Sequence, residues 1–247
     1  MNKPVPVPTE KIKAKQLNDH VYLVTGATGG LGRETSLALA KLGATVILTG
    51  RNEDKLNRLY DDIEQSGYPI PAIIPFDLEQ TDVQNYTQLI ESIYSEFKRL
   101  DGIAHVACQL GVIGPIASQD AAEWIKVQQV NLNACFLLNK VSLPLLAQSG
   151  EASITFVSDS SARHSKAYWG AYGVSKKSVE SFASMLADEL EGSSVNCNVF
   201  IPGPSILPIR KKTHPGEENA NLQPAASVAE AALQVILSKD SGQIYEL

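Results

Sequence analysis

Val21-Tyr22-Leu23-Val24-Thr25-Gly26-Ala27-Thr28-Gly29-Gly30-Leu31-Gly32 is the stretch that decides the fold: an apolar run of strand length passes through a glycine-rich turn straight into a helix-forming segment. Each glycine has a stereochemical task. Gly26 permits a tight turn, Gly30 lets the backbone approach a pyrophosphate, and Gly32 lets helix and sheet close up, so that the helix N-terminus faces the phosphates. Thr28, Gly29 and Leu31 complete this candidate cofactor cradle. The spacing G-x-x-x-G-x-G differs from the common dinucleotide fingerprint G-x-G-x-x-G, and glycine-rich strand–helix turns also occur without a nucleotide.

Outward from this turn, short apolar runs alternate with amphipathic stretches. Val21–Thr25, Thr45–Thr49, Ala72–Phe76, Ile103–Ala107, Ile154–Ser158 and Val195–Phe200 are rich in Val and Ile and lack period-two alternation, as strands buried on both faces do. Gln243–Leu247 adds a seventh. Between them, Val83, Tyr86, Ile90, Ile93 and Phe97 follow helical spacing, as do Val127, Val130, Ala134, Leu137, Val141 and Leu145, and also Val179, Phe182, Leu186 and Leu190. The pattern predicts a single-domain α/β protein: a doubly wound Rossmann fold with a mostly parallel seven-stranded sheet and helices on both faces. Residues 1–17, with Pro4, Pro6 and Pro8, read as an extended, exposed leader before a domain over 18–247, and the Pro-, Gly- and charge-rich segment near 203–224 reads as a lid.

Composition narrows the function classes. Lys plus Arg 21 against Asp plus Glu 27 leave a net charge of −6, which argues against a nucleic-acid groove. No apolar run reaches the ~18 residues of a membrane span, and the first residues lack a signal-peptide core, so no membrane partner is expected. Cys108, Cys135 and Cys197 are far apart and lack metal or disulfide spacing, which suits a reducing cytoplasm. His20, His105, His164 and His214 read as surface or core residues rather than metal ligands, and Cys108 as a small buried hydrophobe with a reactive thiol as the alternative. Asn85-Tyr86-Thr87 is a glycosylation triplet without a secretory context.

Tyr172 and Lys176 lie four apart at the start of a predicted helix and share one face. An ammonium beside a phenol favours the phenolate, so Lys176 is expected to lower the Tyr172 pKa toward a range useful for proton transfer. With the glycine turn upstream, this pair makes the chain from about Asp19 onward resemble the short-chain dehydrogenase/reductase family, and Trp169-Gly170-Ala171-Tyr172 and Gly50-Arg51-Asn52 look most like its bacterial YciK-type oxidoreductases. The resemblance implies hydride transfer between a nicotinamide cofactor and a carbonyl or alcohol substrate, with Tyr172 as proton donor or acceptor and Lys176 on the nicotinamide ribose. It further implies a water relay at Asn131, adenine contacts at Asp77 and Leu78, and nicotinamide-side contacts at Ala107, Pro202 and Gly203.

The departures from that pattern are local. Val106-Ala107-Cys108 stands where the family has Asn-Ala-Gly, and Leu207 where it has Thr, leaving Ser205 to supply a hydroxyl. Thirteen residues before Tyr172, the place of the family's substrate-orienting Ser, stands Asp159, flanked by Ser158 and Ser160. Asp159 is read as donating when protonated, as yielding to a neighbouring Ser, or as binding a substrate with N–H donors or positive charge, with replacement by a Ser preferred because it needs no large pKa shift. Gly50-Arg51 after the second strand, with no acid there, suits the 2′-phosphate of NADP better than NAD. Beyond the small-molecule substrate, the expected partner is a second copy in a homodimer or homotetramer, built on the helices containing Trp124–Leu146 and Tyr172–Leu190, with Phe136, Leu138 and Met185 as outward apolar residues. The competing expectation is a dinucleotide-binding scaffold with lost turnover, since fold alone does not choose.

Overall fold

The computed structural model describes residues 3–10, 12–14 and 16–247; Met1, Asn2, Lys11 and Lys15 of the leader lie outside them. In chain order the elements are β1 (Val5–Pro6), β2 (Val21–Thr25), α1 (Gly30–Lys41), β3 (Thr45–Thr49), α2 (Glu53–Gln65), β4 (Ala72–Ile73), α3 (Val83–Phe97) and β5 (Gly102–His105). They continue with α4 (Ala121–Gln128), α5 (Ala134–Gln148), β6 (Ala152–Val157), α6 (Ser160–Arg163), α7 (Gly170–Glu189), β7 (Val195–Ile201), α8 (Pro208–Thr213), α9 (Ala225–Ile236) and β8 (Ile244–Glu246). All strand pairs are parallel, in the order β1-β8-β7-β6-β5-β2-β3-β4.

Alternate strand residues serve opposite cores. Val21 and Leu23 of β2 join a cluster with α3, α5 and α7, whereas Tyr22 and Val24 join one with α1, α2 and α9. This double burial explains the continuous apolar runs in the sequence. Strand order turns back on itself at β2, which lies between β3 and β5, and the crevice beyond the carboxyl ends of those strands is the ligand position of such folds.

Two expectations are corrected. The sheet has eight strands among the described residues rather than seven, because Val5 and Pro6 of the leader pair with Tyr245 and Glu246 of β8. Proline is tolerated there because β1 is an edge strand, with no strand beyond it among the described residues to accept a hydrogen bond. Pro4 and Pro8 are accordingly half-buried, while Pro6 is exposed as expected.

The second correction concerns the long helix. A π-helical turn over Gln129–Asn133 joins α4 to α5 and inserts an extra residue into the helical repeat. Past it the buried face is Leu138, Ser142, Leu145 and Leu146, and the expected Leu137 and Val141 are only half-buried. Leu138, read as an outward residue, is fully buried in this chain's own core. The joined helix Ala121–Gln148 is long and apolar enough to cross a membrane, yet half of its most apolar window is buried inside the fold.

His105 at the end of β5 is a core residue: it stacks on Phe156 with ring centroids 4.6 Å apart, and its Nε2 meets the Asn139 amide at 2.9 Å. Burial pushes its pKa down to about 4. The folded state therefore favours the neutral ring, a contribution that is complete above the ordinary pKa near 6.5 and is lost as pH falls from there through 4. Urea unfolding at pH 7 and pH 5 should show wild type losing about 2 kcal/mol more than His105→Gln over that interval.

Candidate active site

A cavity of about 530 Å³ opens beyond β2, β5 and β6, and its lining runs from Gly26 and Arg51 at one end to Asp159, Tyr172 and Lys176 at the other. The glycine turn forms its floor. Gly26 has φ +64°, and a Cβ there would lie 2.7 Å from the Ala107 Cα; a Cβ on Gly32 would lie 2.2 Å from the Gly26 carbonyl oxygen. A Cβ on Gly30 would strike Pro208 at 2.5 Å, so the segment after β7 packs directly on the turn.

Helix α1 begins without a side-chain cap at Gly29, whereas Asn52, Asp82 and Asp120 cap α2, α3 and α4 by accepting backbone N–H bonds. The first N–H groups of α1 thus point uncapped to the cavity, and the space that side chains would fill is left open for a diphosphate. The residues present fit a dinucleotide on these grounds: Gly26, Thr28, Gly29, Gly30, Leu31 and Gly32 would hold the diphosphate, Asp77 and Leu78 the adenosine end, and Ala107 and Pro202 the nicotinamide side.

Sequence reasoning missed Thr25. Its hydroxyl accepts from Val106 N at 3.1 Å and Ala107 N at 3.2 Å and donates to Ala104 O at 3.4 Å, joining the ends of β2 and β5 where Val106 has no side-chain amide to offer. Glu79 was missed as well. It forms ion pairs with Arg51 and, at 3.0 Å, with Lys126, so the guanidinium at the adenosine end is held beside two further charges. Both are contacts between distant segments, and no local spacing announces them.

Asn131 sits in the π turn and does not line the cavity. Its carboxamide accepts from Gln109 N at 2.7 Å and donates to Gln109 O and Ser175 Oγ at 2.9 Å, fastening the loop after β5 to α7. Gly203 and Ser205 also lie outside the lining. Gly203 packs on the Leu247 carbonyl, and Ser205 is buried in a bridge to Gln223 that closes the base of the segment carrying α8. Leu207, not Ser205, faces the cavity. Cys108, expected to be buried, is exposed on the cavity wall because the loop leaves the sheet just before it.

At the inner end, Tyr172 Oη donates to Asp159 Oδ2 at 3.0 Å. Lys176 Nζ donates to Val157 O at 2.7 Å and lies 5.8 Å from the Tyr172 ring centre. The expected lowering of the Tyr172 pKa by Lys176 is overturned in this state: burial, then Cys108, then Asp159 raise it well above 10. Of the two flanking Ser residues, Ser158 lines the cavity beside Asp159. Ser158 Oγ donates to Glu180 Oε1 at 2.7 Å, Glu180 is in turn paired with Arg163 at 2.9 Å, and Ser160 begins α6 outside the lining.

An all-parallel doubly wound sheet, a glycine cradle at its switch point and a Tyr-x-x-x-Lys helix at the cavity's inner end define a dinucleotide-binding protein of the Rossmann class. The short chain dehydrogenase profile matches residues 20–218, and the chain belongs to that family. The uncharacterized oxidoreductase YciK of Escherichia coli K12 is 38% identical over 216 residues, covering 87% of this chain and 85% of the relative. A short chain dehydrogenase from Shigella flexneri 2a complexed with NADP superposes with TM-score 0.91 at 35% identity, covering 95% of this chain and 99% of the other. One from E. coli CFT073 complexed with NADPH does so with TM-score 0.91 at 36% identity, over the same shares. Within that family the chain resembles the YciK-type oxidoreductases.

With its pKa raised, Tyr172 remains a neutral phenol through pH 10, where an ordinary tyrosine is half ionised. The alkaline phenolate absorbance of wild type at pH 10 should match that of Tyr172→Phe. In Asp159→Asn, which removes the neighbouring charge, Tyr172 should ionise at lower pH than in wild type.

Proposed function

We propose that the chain is an NADP(H)-dependent oxidoreductase that moves a hydride between the cofactor and a small molecule bearing a polarised double bond. The carbonyl or alcohol couple is the expectation carried by family resemblance. The supporting observation is the continuity of one cavity, from the glycine cradle and Arg51 to the Tyr172–Asp159 pair. Bound there, the nicotinamide would supply or accept the hydride. Tyr172 and Asp159 would meet the substrate, with the buried Lys176 beside the nicotinamide ribose. Asn131 acts as a positioning residue, since both ends of its amide are engaged by the protein. Ser158 and Ser160 have no direct part in this reading.

The choice of NADP over NAD rests on Arg51 at the cavity mouth and on the absence of an acid at the end of β3, and NADP-bound relatives of the same fold support it. Fluorescence titration should give tighter binding of NADPH than of NADH. Arg51→Ala should weaken NADPH by about tenfold and leave NADH nearly unchanged. Binding without turnover of any substrate would favour the scaffold alternative.

We also infer self-association. Ile125 and Phe136 on the joined helix, and Val174 and Met185 on α7, are exposed apolar residues, with Phe136 at 48% and Met185 at 58%. The residue that does not serve is Leu138, which is core. Light scattering should report a dimer or tetramer of the 26.6 kDa chain, and Phe136→Glu together with Met185→Glu should shift it toward monomer. The three free thiols agree with a reducing cytoplasm.

A further inference from the structure

Three charged residues from separate segments meet at the adenosine end of the cavity. Arg51 follows β3, Glu79 follows Asp77 and Leu78 after β4, and Lys126 belongs to α4. One carboxylate oxygen, Glu79 Oε1, takes both the Arg51 guanidinium and the Lys126 ammonium, the latter at 3.0 Å. Two groups bound to one oxygen lie within about 6 Å of each other, close enough to share a single anion. Neither cation has another ion-pair partner among the described residues. Arg51 lines the cavity; on the joined helix, Lys126 lies between Glu123, three positions before, and Val130, four positions after, both of which line it. The carboxylate is presented from a fixed loop, since Glu79 N donates to Asp77 Oδ1 at 3.0 Å and Gln80 O accepts from Tyr86 Oη at 3.0 Å and Gln129 Nε2 at 2.8 Å.

We propose that Arg51 and Lys126 together form the site for the 2′-phosphate of NADP(H), and that Glu79 is the internal anion which that phosphate displaces from them. The assignment rests on the NADP(H) reading above. The side chains of Arg51, Lys126 and Glu79 are 55%, 35% and 31% exposed, so their ion pairs are screened by water and cost little to exchange. A phosphate monoester brings a charge of about −1.5 to −2 and three acceptor oxygens, against a single negative charge on Glu79. It therefore outcompetes the carboxylate for both cations. Once displaced, the carboxylate stays close by, because the loop on either side of it is held, and it repels the phosphate. Glu79 is thus a specificity-determining residue: it weakens the binding of the phosphate-bearing cofactor and leaves that of NAD(H), whose 2′-hydroxyl is neutral, nearly unaffected. The acid missing from the end of β3 reaches the same end of the cavity from the loop after β4, the neighbouring strand.

The test measures binding by calorimetry to the full chain as wild type, Glu79→Gln, Glu79→Ala and Lys126→Gln, with the fold of each checked by circular dichroism. The ligands are NADPH and NADH, together with 2′,5′-ADP and 5′-AMP, which differ only in the 2′-phosphate. Both Glu79 variants should bind NADPH and 2′,5′-ADP about fivefold tighter than wild type, with NADH and 5′-AMP changed by less than about twofold. Lys126→Gln should weaken NADPH and 2′,5′-ADP by about fivefold and spare NADH and 5′-AMP. Unchanged or weaker NADPH binding in both Glu79 variants overturns the competition, and unchanged NADPH binding in Lys126→Gln overturns the two-cation site. Equal binding of NADPH and NADH by wild type overturns only the preference for NADP, because the gain in the Glu79 variants is read against wild type. Failure of wild type to bind either dinucleotide overturns the oxidoreductase reading, and the assignment with it.

Discussion

The carbonyl oxygen of Gly26 leaves no room for a side chain at residue 32, where a Cβ would approach it to 2.2 Å. That contact sets how closely α1 sits against the end of β2, and the other features of the site follow from it. With the helix drawn in, its uncapped N–H groups face the cavity, Ala107 packs under the turn, and Pro208 comes to rest on Gly30. The segment carrying α8 is positioned by the same turn that would hold the diphosphate.

Polar networks buried among the strand ends and helices fix the remainder. The Asn131 amide binds both backbone groups of Gln109 and the Ser175 hydroxyl, and Ser175 in turn donates to the Tyr172 carbonyl at 2.8 Å. The loop after β5 and the first turns of α7 are thus tied together by hydrogen bonds. On the opposite side, Ser158, Glu180 and Arg163 tie the segment after β6 to the same helix, which holds Asp159 opposite Tyr172. Removing one member of such a network leaves buried partners unsatisfied, so its effect reaches the site without touching substrate.

Electrostatics at the inner end differ from what a Lys beside a Tyr suggests in isolation. Burial is the largest cause that keeps the phenol neutral, followed by Cys108 and then by the Asp159 carboxylate that accepts its proton, while the Lys176 ammonium is bound to a strand carbonyl.

Much of this was legible in the sequence because it is local or periodic. The glycine spacing of residues 26–32, the apolar strand runs and the four-residue interval of Tyr172 and Lys176 are each written within one element, and the doubly wound class and the site's main residues follow from them. Even the oddity of Asp159 was visible as a departure from a fixed interval. What only the tertiary structure decided depends on contacts between distant segments. Val5–Pro6 became a strand because β8 offered an edge, and the π turn shifted the buried face of α5 because an added residue breaks the 3.6 period. Ser158 turned to Glu180, twenty-two positions away, and Arg51 to Glu79, twenty-eight away. A hydroxyl or a guanidinium states what it can bind; which partner it meets is set by packing, and one-dimensional spacing carries no record of that.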